Sequence, residues 1–263
     1  MRYKENIPGE LFDEEGHYLG RPADFDAELV VRRIKLVKEI PDFTGKDYSL
    51  LDIGCGNGAS MFSLSKSMKN CVGIDITNEH EEEFKNYRIE NGIGNCELRI
   101  LDVVESEAQE KFDRIISFEV IEHLSDELGV SYYFDSLKDD GIIAISVPNK
   151  WWPFETHGAS LPLLPWNRVP FFSWLPKPIH EKFANARIYT KKRIFKLLEN
   201  YGFEILSHQY ITTPLDVLPS GKIKHWLLQN IFNTVTTKMP IKAPAIFIVV
   251  RKRKLKNIDI VKY

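Results

Sequence analysis

The chain of 263 residues is long enough for one large α/β domain or two small ones. With 43% hydrophobic and 27% charged residues it has the balance of an ordinary globular protein, which excludes a largely disordered chain. A formal charge of -2 excludes a general electrostatic affinity for nucleic acid and leaves room only for a local basic site.

The first residues, MRYKENIPGELFDEEG, alternate charges with turn formers, so no signal peptide is expected. No apolar run approaches the roughly 20 residues that span a bilayer. A cytoplasmic protein with at most peripheral membrane contact is therefore expected. Residues 1–47 precede the first predicted strand and are expected to form a helical cap, with a helix over Ala23–Ile40.

From Ser49 to Val147 short apolar runs alternate with amphipathic stretches. The runs are SLLDIG, CVGIDI, CELRILDV, FDRIISFEV and GIIAISVP, each mostly β-favouring and ended by Gly, Asp or Pro. Between them lie helix-like segments at Ala59–Met68, Glu79–Glu90 and Asp126–Leu137. Strands alternating with helices imply a mostly parallel sheet with helices on both faces. Cys55, Cys71 and Cys96 lie in or beside these strands with no CxxC pair, so buried thiols are expected rather than a zinc site or disulfides.

After the fifth strand the rhythm breaks. Residues 151–180 hold four of the five tryptophans and six of the fourteen prolines. It resumes with TKKRIFKLLENYGFEIL, a helix with Thr190 as N-cap, apolar Ile194, Leu197 and Leu198, and a Gly202 stop. A strand is predicted at Phe203–Ile211 and a last one in APAIFIVV, before a basic tail at 251–263. The expectation is a Rossmann-like α/β domain of seven strands over residues 48–250. Its substrate side would be built by the insertions at 151–180 and 214–242, since ligands in open α/β sheets sit beyond the carboxyl ends of the strands.

The sharpest local signal is Leu50-Leu51-Asp52-Ile53-Gly54-Cys55-Gly56-Asn57-Gly58. An apolar strand containing an acid runs into three alternating glycines and then a helix. Glycines let the backbone turn sharply and approach a ligand, and the following helix N-terminus suits a carboxylate. The spacing is GxGxG rather than the GxGxxG of dinucleotide sites, and Asp52 would repel a pyrophosphate but attract an ammonium group. Further acids follow. Asp75 ends the second run, placed for the two hydroxyls of a ribose. Asp102 ends the third, where a carboxylate accepts an adenine amine while Val103 covers the ring. Glu119 ends the fourth.

These residues resemble class I S-adenosylmethionine-dependent methyltransferases, whose first motif LLDIGCGNG matches without a gap. The resemblance covers roughly residues 48–148, and more weakly the segment YTKKRIFKLLENYGFEI. It implies S-adenosylmethionine as cofactor and S-adenosylhomocysteine as product. Asp52, Gly54, Gly56 and Gly58 would hold the methionyl portion, Asp75 and Ile76 the ribose, Asp102 and Val103 the adenine, with Glu119 beside the methionine end.

Methyl transfer to oxygen calls for a base besides alignment. The candidates are His157 in WWPFETHG and His180 in KPIHEKF. The string Glu119-Val-Ile-Glu122-His123 resembles the ExxEH element of metal-dependent RNA 2′-O-methyltransferases, with His180 as a further ligand, but equally occurs in metal-free small-molecule enzymes. The expectation carries no metal.

Between Trp151 and Pro176 only Glu155 and Arg168 are charged. The aromatic insert therefore suits a lid over an apolar pocket, a membrane contact, or a plain hydrophobic cover. HWLLQNIF (His225–Phe232) and the tail RKRKLK would suit an anionic membrane surface. PNKWWPFETHG and YTKKRIFKLLENYGFEI resemble methyltransferases of the ubiquinone-biosynthesis and glycan-assembly types. That resemblance implies O-methylation of a small, apolar, lipid-linked or sugar-linked acceptor, with no DNA partner. The rivals are a metal-dependent RNA 2′-O-methyltransferase, a non-enzymatic scaffold, and a nucleotide-dependent oxidoreductase against which Asp52 and the GxGxG spacing speak.

Overall fold

The computed structural model describes residues 24–159, 169–215 and 219–254. The amino-terminal part of the expected cap, Trp166, Arg168 and most of the basic tail lie outside them.

The first element among the described residues is α1 (Glu28–Glu39), whose Val30, Ile34 and Val37 share one buried face, as the 3.6-residue period requires. The alternation then runs β1 (Gly45–Ile53), α2 (Ala59–Ser65), β2 (Met68–Asp75), α3 (Glu81–Glu90), β3 (Cys96–Ile100) and β4 (Phe112–Phe118). A 3-10 turn at Glu127–Gly129, α4 (Val130–Asp135) and β5 (Leu137–Pro148) follow. The expected helix over Asp126–Leu137 is thus shorter, because Leu137 pairs with Phe112 and opens the strand. Beyond the insert come α5 (Lys177–Phe183), α6 (Lys191–Asn200), β6 (Phe203–Ile211), α7 (Lys222–Asn230), β7 (Thr236–Thr237) and β8 (Ala245–Lys252). Thr190 caps α6 by accepting the Arg193 N–H at 3.2 Å.

The strands form one sheet in the order β3-β2-β1-β4-β5-β8-β6-β7. The first five are mutually parallel, and β8 is antiparallel to both β5 and β6. Eight strands replace the expected seven. The additional one is the two-residue β7, which pairs Thr237 and Thr236 with Tyr210 and Ile211 on the open edge of β6. Two β-branched residues returning along an unpaired edge satisfy backbone groups that β6 would otherwise expose.

Alternate strand residues feed two cores. Leu51, Ile53, Ile246, Ile248 and Val250 pack with α4 and α6 on one face, while Leu50, Phe247 and Val249 pack with α1, α2 and α3 on the other. Cys55, Cys71 and Cys96 are buried free thiols, as expected. The chain winds outward from β1 to β3, then crosses back to β4 beside β1. That reversal opens a crevice at the carboxyl ends of β1 and β4, where such sheets take their ligands.

Candidate functional site

The glycine turn leaves β1 directly into this crevice. Gly54 has φ +70° and Gly58 has φ +84°, a region closed to most side chains. A Cβ on Gly54 would press into Val120, 3.0 Å from Cγ1, 3.2 Å from Cβ and closer still to Cγ2. The turn therefore touches the segment that follows β4. A Cβ on Gly58 would meet Phe62 at 2.7 Å and Phe84 at 2.8 Å, so this glycine also seats α2 against α3.

The strand-end acids occupy distinct environments. Asp52 is only 2% exposed, and its Oδ2 has no hydrogen bond among the described residues. Burial, then the nearby Asp75 charge, pushes its carboxyl well above the usual carboxylate range, against a lowering contribution from the Met61 N–H. Asp75 Oδ2 accepts the Gly56 N–H at 2.7 Å and Oδ1 the Thr77 N–H at 3.2 Å. Burial raises its pKa, and the Gly56 bond partly offsets the rise. Asp75 thus braces the glycine turn as well as facing the crevice, with Ile76 exposed beside it. Asp102 lies two residues beyond the end of β3, its Oδ1 accepting the Val104 N–H at 2.7 Å, and Val103 is buried.

This cradle fits S-adenosylmethionine. A buried carboxylate oxygen of Asp52, without a donor among the described residues, suits a ligand carrying amine and sulfonium charge.

A second group of polar side chains gathers where β4 ends. Glu119 has φ +59°, a strained conformation for a non-glycine residue, while its N–H continues the ladder to the Ser146 carbonyl at 3.0 Å. Its Oε1 accepts the Ser146 hydroxyl at 2.9 Å and pairs with Arg33 Nη2 at 2.9 Å. Glu122 is buried, and neither of its oxygens finds a well-formed hydrogen bond among the described residues. Burial and then the Glu119 charge push its carboxyl well above the ordinary range.

His157 reaches this pair from the insert. Its Nε2 lies 3.5 Å from Glu122 Oε1 and 4.0 Å from Glu119 Oε2, and its ring meets His123 edge-on at 4.8 Å. Its Nδ1 is 3.0 Å from the Thr156 hydroxyl. One atom from each of Glu122, His123 and His157 lies within 4.8 Å of the others, close enough to share a divalent ion.

His180 is placed differently. It is fully buried in α5, with Nε2 2.8 Å from Glu155 Oε2. The other Glu155 oxygen accepts the N–H groups of Thr156 at 3.1 Å and His157 at 3.3 Å. The structure therefore brings His157 to the acids, and ties His180 through Glu155 to the backbone that carries His157. The metal-ligating alternative drawn from the sequence had named His180, and the chain supplies His157 in its place.

Two contributors escaped the sequence reading. Arg33 is a cation on the buried face of α1, between Val30 and Ile34, and a charge in that apolar stripe was the available signal. Glu155 is one of two charges in a long uncharged insert, the kind of isolation that marks a buried partner.

Comparison with known proteins places these observations in context. Residues 25–208 match a family described as a methyltransferase domain. The chain is similar to a ubiquinone biosynthesis O-methyltransferase of Actinobacillus pleuropneumoniae, 33% identical over 107 residues, covering 38% of this chain and 46% of that protein. It is 28% identical over 201 residues to one from Pelagibacter ubique, covering 69% of this chain and 80% of that one. Against the first of these relatives, the match spans less than half of the relative's length. Among solved structures, an S-adenosylmethionine-dependent methyltransferase from Mesorhizobium loti superposes with a TM-score of 0.59 at 13% identity, covering 87% of this chain and all (100%) of that one.

Proposed function

This chain belongs to the methyltransferase domain family, and on that footing we propose that it uses S-adenosylmethionine to methylate a hydroxyl oxygen of a small, apolar, lipid-linked or sugar-linked acceptor. One observation carries the choice of oxygen: His157 stands beside two carboxylates where the end of β4 meets the glycine turn. The relatives named as ubiquinone biosynthesis O-methyltransferases support the same choice.

The bound cofactor supplies a methyl group on a sulfonium, an electrophile needing no further activation. The remaining work, aligning the acceptor and removing its proton, falls to the chain. In the tautomer whose Nδ1–H donates to the Thr156 hydroxyl, His157 turns the lone pair of Nε2 to the side where Glu122 and Glu119 lie. That nitrogen takes the acceptor proton, and the Glu119 carboxyl beside it faces the imidazolium that results. Arg33 pairs with Glu119 and holds its carboxyl in place. The buried part of the insert, Trp152 and Phe172 among it, keeps water away from this loop.

The three-residue cluster favours one second reading, in which Glu122, His123 and His157 would hold a divalent ion, and that ion would supply an acidified acceptor hydroxyl. This is the chemistry of the RNA 2′-O-methyltransferase alternative, with His157 where the sequence offers His180 and without Glu119. Methyl-labelled S-adenosylmethionine incubated with aqueous, lipid and RNA extracts, with and without chelator, separates the two. Chelator-resistant label in the lipid or aqueous extract supports the His157 base. Chelator-sensitive label restored by manganese makes His157 a ligand, and label confined to RNA replaces the acceptor class. No label in any extract, with cofactor binding retained, would leave the scaffold reading.

A further inference from the structure

The rim beyond β6 has a composition unlike the rest of the molecule. Between residues 219 and 250 the chain carries Lys222, Lys224, Lys238 and Lys242 and no acid, although its net charge is -2. Within this stretch α7 buries no residue. Ile223 is 76% exposed and Trp226 56% exposed, three positions apart and therefore on one side of the helix. Leu227 and Leu228 turn inward instead, half-buried. Lys222 and Lys224 flank the outward pair. Met239 and Ile241 are exposed on the neighbouring turn at Pro240–Lys242, beside Lys238 and Lys242, and Lys242 Nζ donates to the Ile231 carbonyl at 3.3 Å.

This surface adjoins the candidate site. At the end of β5, Asn149 Nδ2 donates to the carbonyls of Pro240 and Ala243, both at 2.8 Å. The next residue, Lys150, donates through Nζ to the carbonyls of Ser173 and Leu175 in the insert. There Trp151, Phe171 and Trp174 are exposed, with Phe171 and Trp174 edge-to-face at 4.8 Å. Two adjacent residues thus tie both exposed aromatic patches to one strand end.

We infer that α7 and the turn at Pro240–Lys242 form a docking surface for an anionic lipid membrane. Tryptophan and isoleucine exposed together are costly in water and favoured at a lipid headgroup boundary, and lysines around them match negative headgroups. Four lysines with no acid among residues 219–250 match a uniformly negative surface better than a protein partner of mixed charge. Docking here sets the substrate side of the sheet against the bilayer, within reach of an acceptor embedded in it. The inference goes beyond the methyl-transfer reading and does not depend on it.

The test is flotation of the full chain with vesicles, without cofactor or acceptor. Vesicles of phosphatidylcholine with phosphatidylglycerol are expected to carry the protein, vesicles of phosphatidylcholine alone to carry little, and half-molar salt to release much of it. The double variant Ile223→Ser with Trp226→Ser is expected to bind at least tenfold more weakly while its circular dichroism melt is unchanged. The charge variant Lys222→Glu with Lys224→Glu is expected to lose the preference for anionic vesicles. Failure to bind anionic vesicles, or equal binding by the folded double variant, overturns the inference. So does a dimer seen by light scattering that the double variant dissolves, since a second copy would then cover the face. Label in a soluble acceptor alone would count against a lipid-linked substrate and leave the flotation result untouched.

Discussion

Replacing Gly54 by alanine tests the contact that joins the glycine turn to the segment after β4. Two separate costs arise. The residue sits at φ +70°, where a Cβ costs about 1–2 kcal/mol. The new methyl also enters space held by Val120, whose branched side chain has little rotamer freedom, and such overpacking costs about 1–3 kcal/mol. The folded state should therefore lose about 2–5 kcal/mol in urea denaturation read at constant m-value. Only the second cost depends on Val120. Val120→Ala alone removes two methyls from a half-buried position and should cost about 1 kcal/mol. In the double variant the two methyl contacts are gone and only the 3.2 Å approach to Cβ remains, so the loss should fall short of the sum by about 1 kcal/mol. Cofactor affinity should stay depressed in both Gly54 variants, because the turn itself is still strained. Additive losses, or a Gly54→Ala variant within about 0.5 kcal/mol of the parent, would refute the packing argument.

Other outcomes follow from the same geometry. Asp75→Ala should weaken S-adenosylmethionine binding at least tenfold by calorimetry, about 1.4 kcal/mol or more, since it removes a crevice carboxylate and the brace on Gly56. Unchanged affinity would remove Asp75 from the cofactor site. The carboxyls of Glu122 and Asp52 titrate above their unfolded values, so the folded apoprotein binds protons more tightly than the unfolded chain. Their contribution is fully present below the unfolded carboxyl pKa of about 4 and is lost as pH rises through the folded values. Glu122→Gln should therefore flatten the fall of the apoprotein melting temperature with rising pH, and an unaltered slope would contradict the burial of this charge. Glu155→Gln and His180→Ala each disturb a buried hydrogen bond and should cost about 1–3 kcal/mol. Where the protein still folds, they should lower kcat through the misplaced His157 loop with little change in cofactor affinity; unchanged kcat would show that the pair does not position His157.

Much of the fold was legible because its signals are local. The alternation of apolar runs and amphipathic stretches gave the strand and helix order, and Thr190 and Gly202 marked the limits of α6. The edge strand β7 was not legible, since two threonines carry no periodicity and pair only because β6 leaves an open edge.

The glycine turn, the strand-end acids and the aromatic insert were determined by the sequence alone, because each is a local signal that depends on adjacent residues. Only the tertiary structure decided how those residues are used. It chose His157 over His180 as the neighbour of Glu122, brought Arg33 from the first helix to Glu119, and buried Glu155 as the partner of His180. Such pairings join residues 25 to 86 positions apart, and the energy that selects among them is the desolvation of a charge. That depends on the packing of the whole sheet and helix layer around it, so spacing along the chain carries no record of it.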